Sequence, residues 1–132
     1  MTRYAIDAPT VLHLVRHGIR VDPSHQLVAP GSVRSHALQL LLDDVDAGTL
    51  TERDAMQQHE RITELRMRLL GDRVSRRTAW QVARDLGLPI SVAEVLAVAR
   101  LQADALVSVD AGLARKASGV VPLARVEDLT VP

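Results

Sequence analysis

The stretch Ala105-Leu106-Val107-Ser108-Val109-Asp110 is a short apolar run closed by an aspartate, and Tyr4-Ala5-Ile6-Asp7 repeats the design near the other end of the chain. A buried strand of a parallel sheet delivers a terminal acid to one edge of that sheet in this way. Ligands of open α/β sheets sit just outside the carboxyl ends of the strands. If the two strands are neighbours, Asp7 and Asp110 converge, and two carboxylates in a polar crevice suit a divalent metal ion. Each acid also suits a simpler task, capping the helix that follows it.

Between and around these strands the chain alternates helical and extended patterns. The first strand covers residues 3 to 7, and Asp7-Ala8-Pro9 opens a helix that Gly18 ends, with Pro in the first turn. Gln26-Leu27-Val28-Ala29 reads as a second strand stopped by Pro30. An amphipathic helix is expected over 32–47, with Val33, Ala37, Leu40, Leu41 and Val45 at helical spacing. Thr51 with Asp54 reads as an N-cap pairing for a third helix. Residues 66–71 fit a short strand or a loop. A helix over 73–86 ends at Gly87-Leu88-Pro89, and Ser91 is expected to cap an apolar helix over 92–101. The strand at 105–109, a short helix over 113–116 and a last strand over 120–123 complete the order. Strands separated by helices imply parallel βαβ units. There is no internal repeat, linker or low-complexity stretch, so residues 1–132 are expected to form one domain.

Composition bounds the function. The chain has 132 residues with 47% hydrophobic content, yet no Phe, one Trp (Trp80) and one Tyr (Tyr4), so its core is built from Leu, Val, Ala and Ile. Apolar runs are too short and too charged to span a membrane, and Asp7 and Pro9 interrupt the place where a signal peptide would be apolar. The absence of cysteine excludes disulfide and thiol chemistry and suits a cytoplasmic setting. A net charge of zero argues against a general nucleic-acid coat.

Further candidates accompany the two aspartates. Glu94 falls in the first turn of the helix leading to the Asp110 strand, where an acid also favours the helix dipole. His13 and His17, four residues apart, lack a third ligand in range for zinc; His25, His36 and His59 read as surface residues. Arg66, Arg68, Arg73, Arg76, Arg77 and Arg84 form a basic cluster, with Asp72 and Asp85 the acids among them. Such clusters are commonly solvated helix faces, although arginine suits phosphate contact. The cluster is read as having no aromatics for base stacking, which speaks against sequence-tolerant single-strand binding by stacking. No Ser-His-Asp set, glycine-rich phosphate loop or dinucleotide fingerprint is present.

Three ordered segments carry a resemblance: Ile6-Asp7-Ala8-Pro9-Thr10; Leu27-Val28-Ala29-Pro30 with its helix; and Gln102-Ala103-Asp104-Ala105-Leu106-Val107-Ser108-Val109-Asp110. Together they resemble the PIN domain family, and more narrowly the VapC-type toxins of toxin–antitoxin pairs. The stretch Asp72-Arg73-Val74-Ser75-Arg76-Arg77-Thr78-Ala79-Trp80-Gln81-Val82-Ala83 resembles the helix before that family's third acid. The resemblance implies an α/β, three-layer α/β/α PIN-like domain with a central, mostly parallel sheet of four to five strands. It implies a Mg²⁺- or Mn²⁺-dependent endoribonuclease, a homodimer, and a VapB-like antitoxin that occludes the site. Asp7 and Asp110 match the family's first and last acids. The family's glutamate position holds His36 here, and its third acid falls on Val92 unless a loop two residues shorter brings Glu94 into register. Gly112 stands where a further acid or Asn is common.

Two functional expectations follow. One is a metal-dependent ribonuclease with a partly degraded acidic site, Asp7 and Asp110 holding the ion and Glu94 assisting. The other is a catalytically silent PIN-like module that acts by dimerisation or antitoxin binding.

Overall fold

The computed structural model describes residues 1–131. Five strands, β1 (Thr2–Ile6), β2 (His25–Pro30), β3 (Arg68–Leu70), β4 (Ala105–Val107) and β5 (Leu123–Ala124), form one sheet. Its order is β3-β2-β1-β4-β5, and every pairing is parallel. Six helices cover the sheet: α1 (Ala8–Arg16), α2 (Val33–Asp46), α3 (Glu52–Glu64), α4 (Arg73–Leu86), α5 (Ile90–Gln102) and α6 (Ala111–Ala117). A 3₁₀ helix, Val126–Leu129, follows β5.

The strands lack polar alternation because both faces of the sheet are buried, as parallel sheets require. Ile6, Leu27, Ala29 and Val107 face a core shared with α1, α2 and α3. Their neighbours Ala5, Val28 and Leu106 face a second core with α4, α5 and α6. The result is a three-layer α/β/α domain. Apolar side chains wrap much of α5, whose Ala93 and residues 95–99 are all buried, so its pattern carries little amphipathic signal.

From β1 the chain steps outward through β2 to β3. It then returns through α4 and α5 to lay β4 on the other side of β1, with Ile6 opposite Val107. The direction of winding therefore reverses between β1 and β4. This is the topological switch point, where open α/β sheets part their loops into a crevice.

Three boundaries differ from the sequence expectation for local reasons. β4 stops at Val107 rather than at residue 109, because side chains take over from the ladder. The Val109 N–H donates to Thr10 Oγ1 (3.1 Å) and the Asp110 N–H to Ser108 Oγ (3.1 Å). α5 begins at Ile90 with Pro89, not Ser91, as its N-cap. The carbonyl of Pro89 accepts from Val92 (3.1 Å) and Ala93 (2.9 Å), leaving Ser91 inside the first turn. The last strand is Leu123–Ala124 rather than 120–123: Val120 and Val121 donate back to the Ala117 carbonyl in the turn closing α6. The segment at 66–71 resolves as the three-residue β3.

Candidate functional site at the switch point

Asp7 follows β1 directly and is 3% exposed; with Thr10 (0%) it makes up the buried polar side chains among the described residues. Burying a carboxylate is costly unless hydrogen bonds replace its water. Here Asp7 is the N-cap of α1. Its Oδ1 accepts from the Thr10 N–H (3.2 Å) and from the Thr10 hydroxyl, while Oδ2 accepts from the Ser108 hydroxyl (2.7 Å). Ser108 comes from the neighbouring strand end. Its Oγ also accepts the N–H of Asp110. One hydroxyl thus joins the carboxylate of Asp7 to the backbone of Asp110 across the β1–β4 gap.

Asp110 is exposed and is the N-cap of α6; its Oδ1 accepts from the N–H groups of Gly112 (2.9 Å) and Leu113 (3.2 Å). Both aspartates therefore perform the capping role open to them, and both stand on the same sheet edge. Capping and convergence are compatible because a carboxylate oxygen has two acceptor positions. Three donors engage Asp7 and two engage Asp110, which leaves one acceptor position on Asp7 Oδ2 and the whole of Asp110 Oδ2.

Glu94 is the fifth residue of α5, past the first turn where it was expected because the helix already begins at Ile90, and it accepts from the Ser32 hydroxyl (2.9 Å). It lines a cavity of about 410 Å³ with Pro30, Ser32, Leu70 and Arg76, over the carboxyl ends of β2 and β3; neither aspartate lines that cavity. Glu94 thus shares the sheet edge with the aspartate pair but is engaged beside it. Among the described residues, no three His, Asp or Glu side chains form a group placed to hold a metal ion. His36 and Val92, at the positions where the family resemblance expects acids, are half-buried on α2 and α5.

The remaining histidines are dispersed. His13 and His17 tilt against each other at 4.4 Å on α1. They line a cleft with Pro9, Arg16, Asp44 and Val109. The ring of His25 meets Tyr4 edge-on at 5.1 Å. The arginine cluster divides in two. Arg66 and Arg68 lie with Met1, His25 and Gln26, where β2 begins, whereas Arg73, Arg76, Arg77 and Arg84 are exposed on α4.

Sequence reasoning missed three residues. Thr10 and Ser108 organise the aspartate pair, and the signal for each was local: a hydroxyl three residues after one acid and two before the other. The third is Trp80, which is 60% exposed among the α4 arginines. This corrects the expectation that the basic cluster has no aromatic available for base stacking.

No protein-family model matches the chain, and no curated protein matches it. Among solved structures the chain is similar to the crystal structure of PAE2754 from Pyrobaculum aerophilum. The TM-score is 0.73 with 22% identity, over 97% of this chain and 92% of that one. At that identity the likeness concerns the fold. No helix among the described residues is long and apolar enough to cross a membrane.

Proposed function

We propose that the chain is a divalent-metal-dependent endoribonuclease of the VapC type, hydrolysing RNA phosphodiesters at the β1–β4 switch point. The observation that carries this reading is a buried carboxylate at that point, Asp7, tied through Ser108 to a second, solvent-facing aspartate. The donor set fits Mg²⁺ or Mn²⁺: the open acceptor positions on Asp7 and Asp110 are hard oxygens, and Mg²⁺ is commonly held by one or two carboxylates with water filling the other positions. Such an ion, when bound, supplies a water of lowered pKa and neutralises charge on the phosphoryl oxygens.

The chain's own groups would do the positioning. Thr10 and Ser108 hold the Asp7 carboxylate through three hydrogen bonds, so its remaining acceptor position would be offered to an ion without further ordering. Asp110, fixed by the first turn of α6, presents its free oxygen from the opposite strand. Glu94 keeps open acceptor positions beside its bond from Ser32 and would join as a third ligand from the neighbouring cavity. With two carboxylates in place of four, metal affinity is expected to be weak. The remainder of the reading, a homodimer restrained by a VapB-like antitoxin in the cytoplasm, rests on the ordered sequence resemblance.

A second reading, a silent PIN-like binding module, is favoured by His36 and Val92 at expected acid positions and by the engagement of Asp7 and Glu94 in hydrogen bonds. One experiment separates the two. Purified protein is assayed on structured RNA with Mg²⁺ or Mn²⁺, beside Asp7→Asn and Asp110→Asn. Asparagine caps helices about as well as aspartate, so folding is retained while the charge is lost. Cleavage should fall by roughly 10-fold or more in each variant, the loss expected when metal ligation is impaired. Equal cleavage by all three proteins would mark the activity as contamination and leave the binding reading.

A further inference from the structure

We propose that the exposed face of α4 is a track for single-stranded RNA, in which Trp80 stacks on a base and the flanking arginines contact phosphates. The inference rests on the nuclease reading for the identity of its ligand and gives that reading a substrate-binding surface. At 100° per residue, Arg73, Arg76, Arg77, Trp80 and Arg84 fall on one side of α4 within about 100° of arc. The opposite side carries Ala79 and Val82 into the core. Trp80, 60% exposed, is the protein's one tryptophan. An indole left in water while a core made of small aliphatics is closed beneath it contributes nothing to that core.

The arginines are equally unspent. Among the described residues, none of the four takes part in an ion pair or a side-chain hydrogen bond; the ion pairs are Arg16–Asp44 and Arg125–Asp128. The two acids of this segment are occupied elsewhere, Asp72 in the capping box of α4 with Ser75 and Asp85 with Gln81 (3.1 Å). The stripe also connects with the sheet edge, because Arg76 lines the same cavity as Ser32 and Glu94.

Charge decides between occupants. A second copy packed through a two-fold axis would bring the same patch against itself, setting four guanidiniums against four with no acid among them. A polyanion with unpaired bases meets both features: phosphates for the arginines and π-faces for the indole. Duplex RNA, whose bases are stacked inside the helix, offers only the phosphates.

The test uses a fluorescein-labelled 12-nucleotide single-stranded RNA in EDTA, so that binding is read without metal or cleavage. Anisotropy gives the affinity, and quenching of Trp80 emission reports contact with the indole. Wild type should bind with quenching, and Trp80→Ala should weaken binding about tenfold, with Trp80→Phe recovering part of it. Arg77→Ala with Arg84→Ala should lower the salt slope by about 0.7 for each phosphate contact removed. Because binding is read in EDTA, apart from metal and cleavage, a failed cleavage assay leaves this result standing. Unchanged affinity in Trp80→Ala would overturn the track whether or not the protein cleaves RNA. So would Trp80 emission that answers to protein concentration rather than RNA, with a dimer in sedimentation that Trp80→Ala abolishes: that result would assign the face to a second copy.

Discussion

At the scale of single residues, the switch point is a small polar network inside an aliphatic molecule, and its cost and use are linked. Ser108 donates to Asp7 and accepts from Asp110, so removing its hydroxyl leaves a buried carboxylate oxygen short of a donor and a backbone N–H short of an acceptor. Ser108→Ala should destabilise the fold by about 1–3 kcal/mol in urea denaturation. Thr10→Val, which keeps the shape and loses the bonds to Asp7 and Val109, should do the same. If both variants unfold at the wild-type midpoint, the network is not holding the strand ends. Gly112 matters for a steric reason: a Cβ there would come within 3.2 Å of Asp110 Oδ1. A side chain at that position would press on the carboxylate proposed to hold the ion.

At the scale of elements, four α-helices begin on a side-chain cap, Asp7, Thr51, Asp72 and Asp110, whereas α2 and α5 begin without one. Thr51 caps α3 through the Asp54 N–H (3.1 Å), and Asp72 with Ser75 forms a capping box on α4. Gly87 closes α4 at φ +65°, a conformation that favours glycine. The loop between α1 and β2 is organised differently. Asp22 accepts from the Ser24 N–H (2.9 Å), while its own N–H donates to the Leu129 carbonyl (2.8 Å), tying the loop to the terminal 3₁₀ helix. The bonds from Ser24 hold the Asp22 carboxyl below its usual value. A carboxyl depressed on folding contributes stability that is complete above its unfolded pKa and fades as pH falls through the folded one. Stability should therefore decline across the acid range partly through Asp22, and Asp22→Asn should show a shallower decline. Denaturation midpoints from about pH 5 down to pH 2 check this; identical slopes for the two proteins would remove Asp22 from the account.

At the scale of the whole molecule, one sheet serves two cores, and its strands contribute alternate residues to each. Leu14 in the first core and Leu96 in the second are fully buried on opposite sides. Leu14→Ala and Leu96→Ala should each cost about 2–5 kcal/mol. Because β1, β2 and β4 belong to both cores, each substitution should lower a single shared transition. Methyl NMR signals from the two layers should disappear at the same urea concentration. Separate midpoints would mean that the layers unfold independently. The fold also places chemistry by topology alone: the reversal of winding between β1 and β4 sets the two aspartates just past the carboxyl ends of adjacent strands.

Much of this was written locally. Strand-terminal acids, helix caps and the alternation of helix with apolar run are short-range patterns, so the sequence by itself determined the α/β class, nearly every element and the identity of Asp7 and Asp110 as edge residues. Adjacency was beyond it, since nothing local says that β4 returns to lie against β1 rather than at the sheet margin. Only the tertiary structure decided that Ser108 and Thr10 complete the aspartate pair, that Glu94 is engaged by Ser32, and that Arg66 and Arg68 part from the arginines of α4. It alone decided that Trp80 faces water. The physical reason is the same throughout: backbone preference is set within a few residues, whereas hydrogen-bond partners and exposure depend on which distant segments the core brings together.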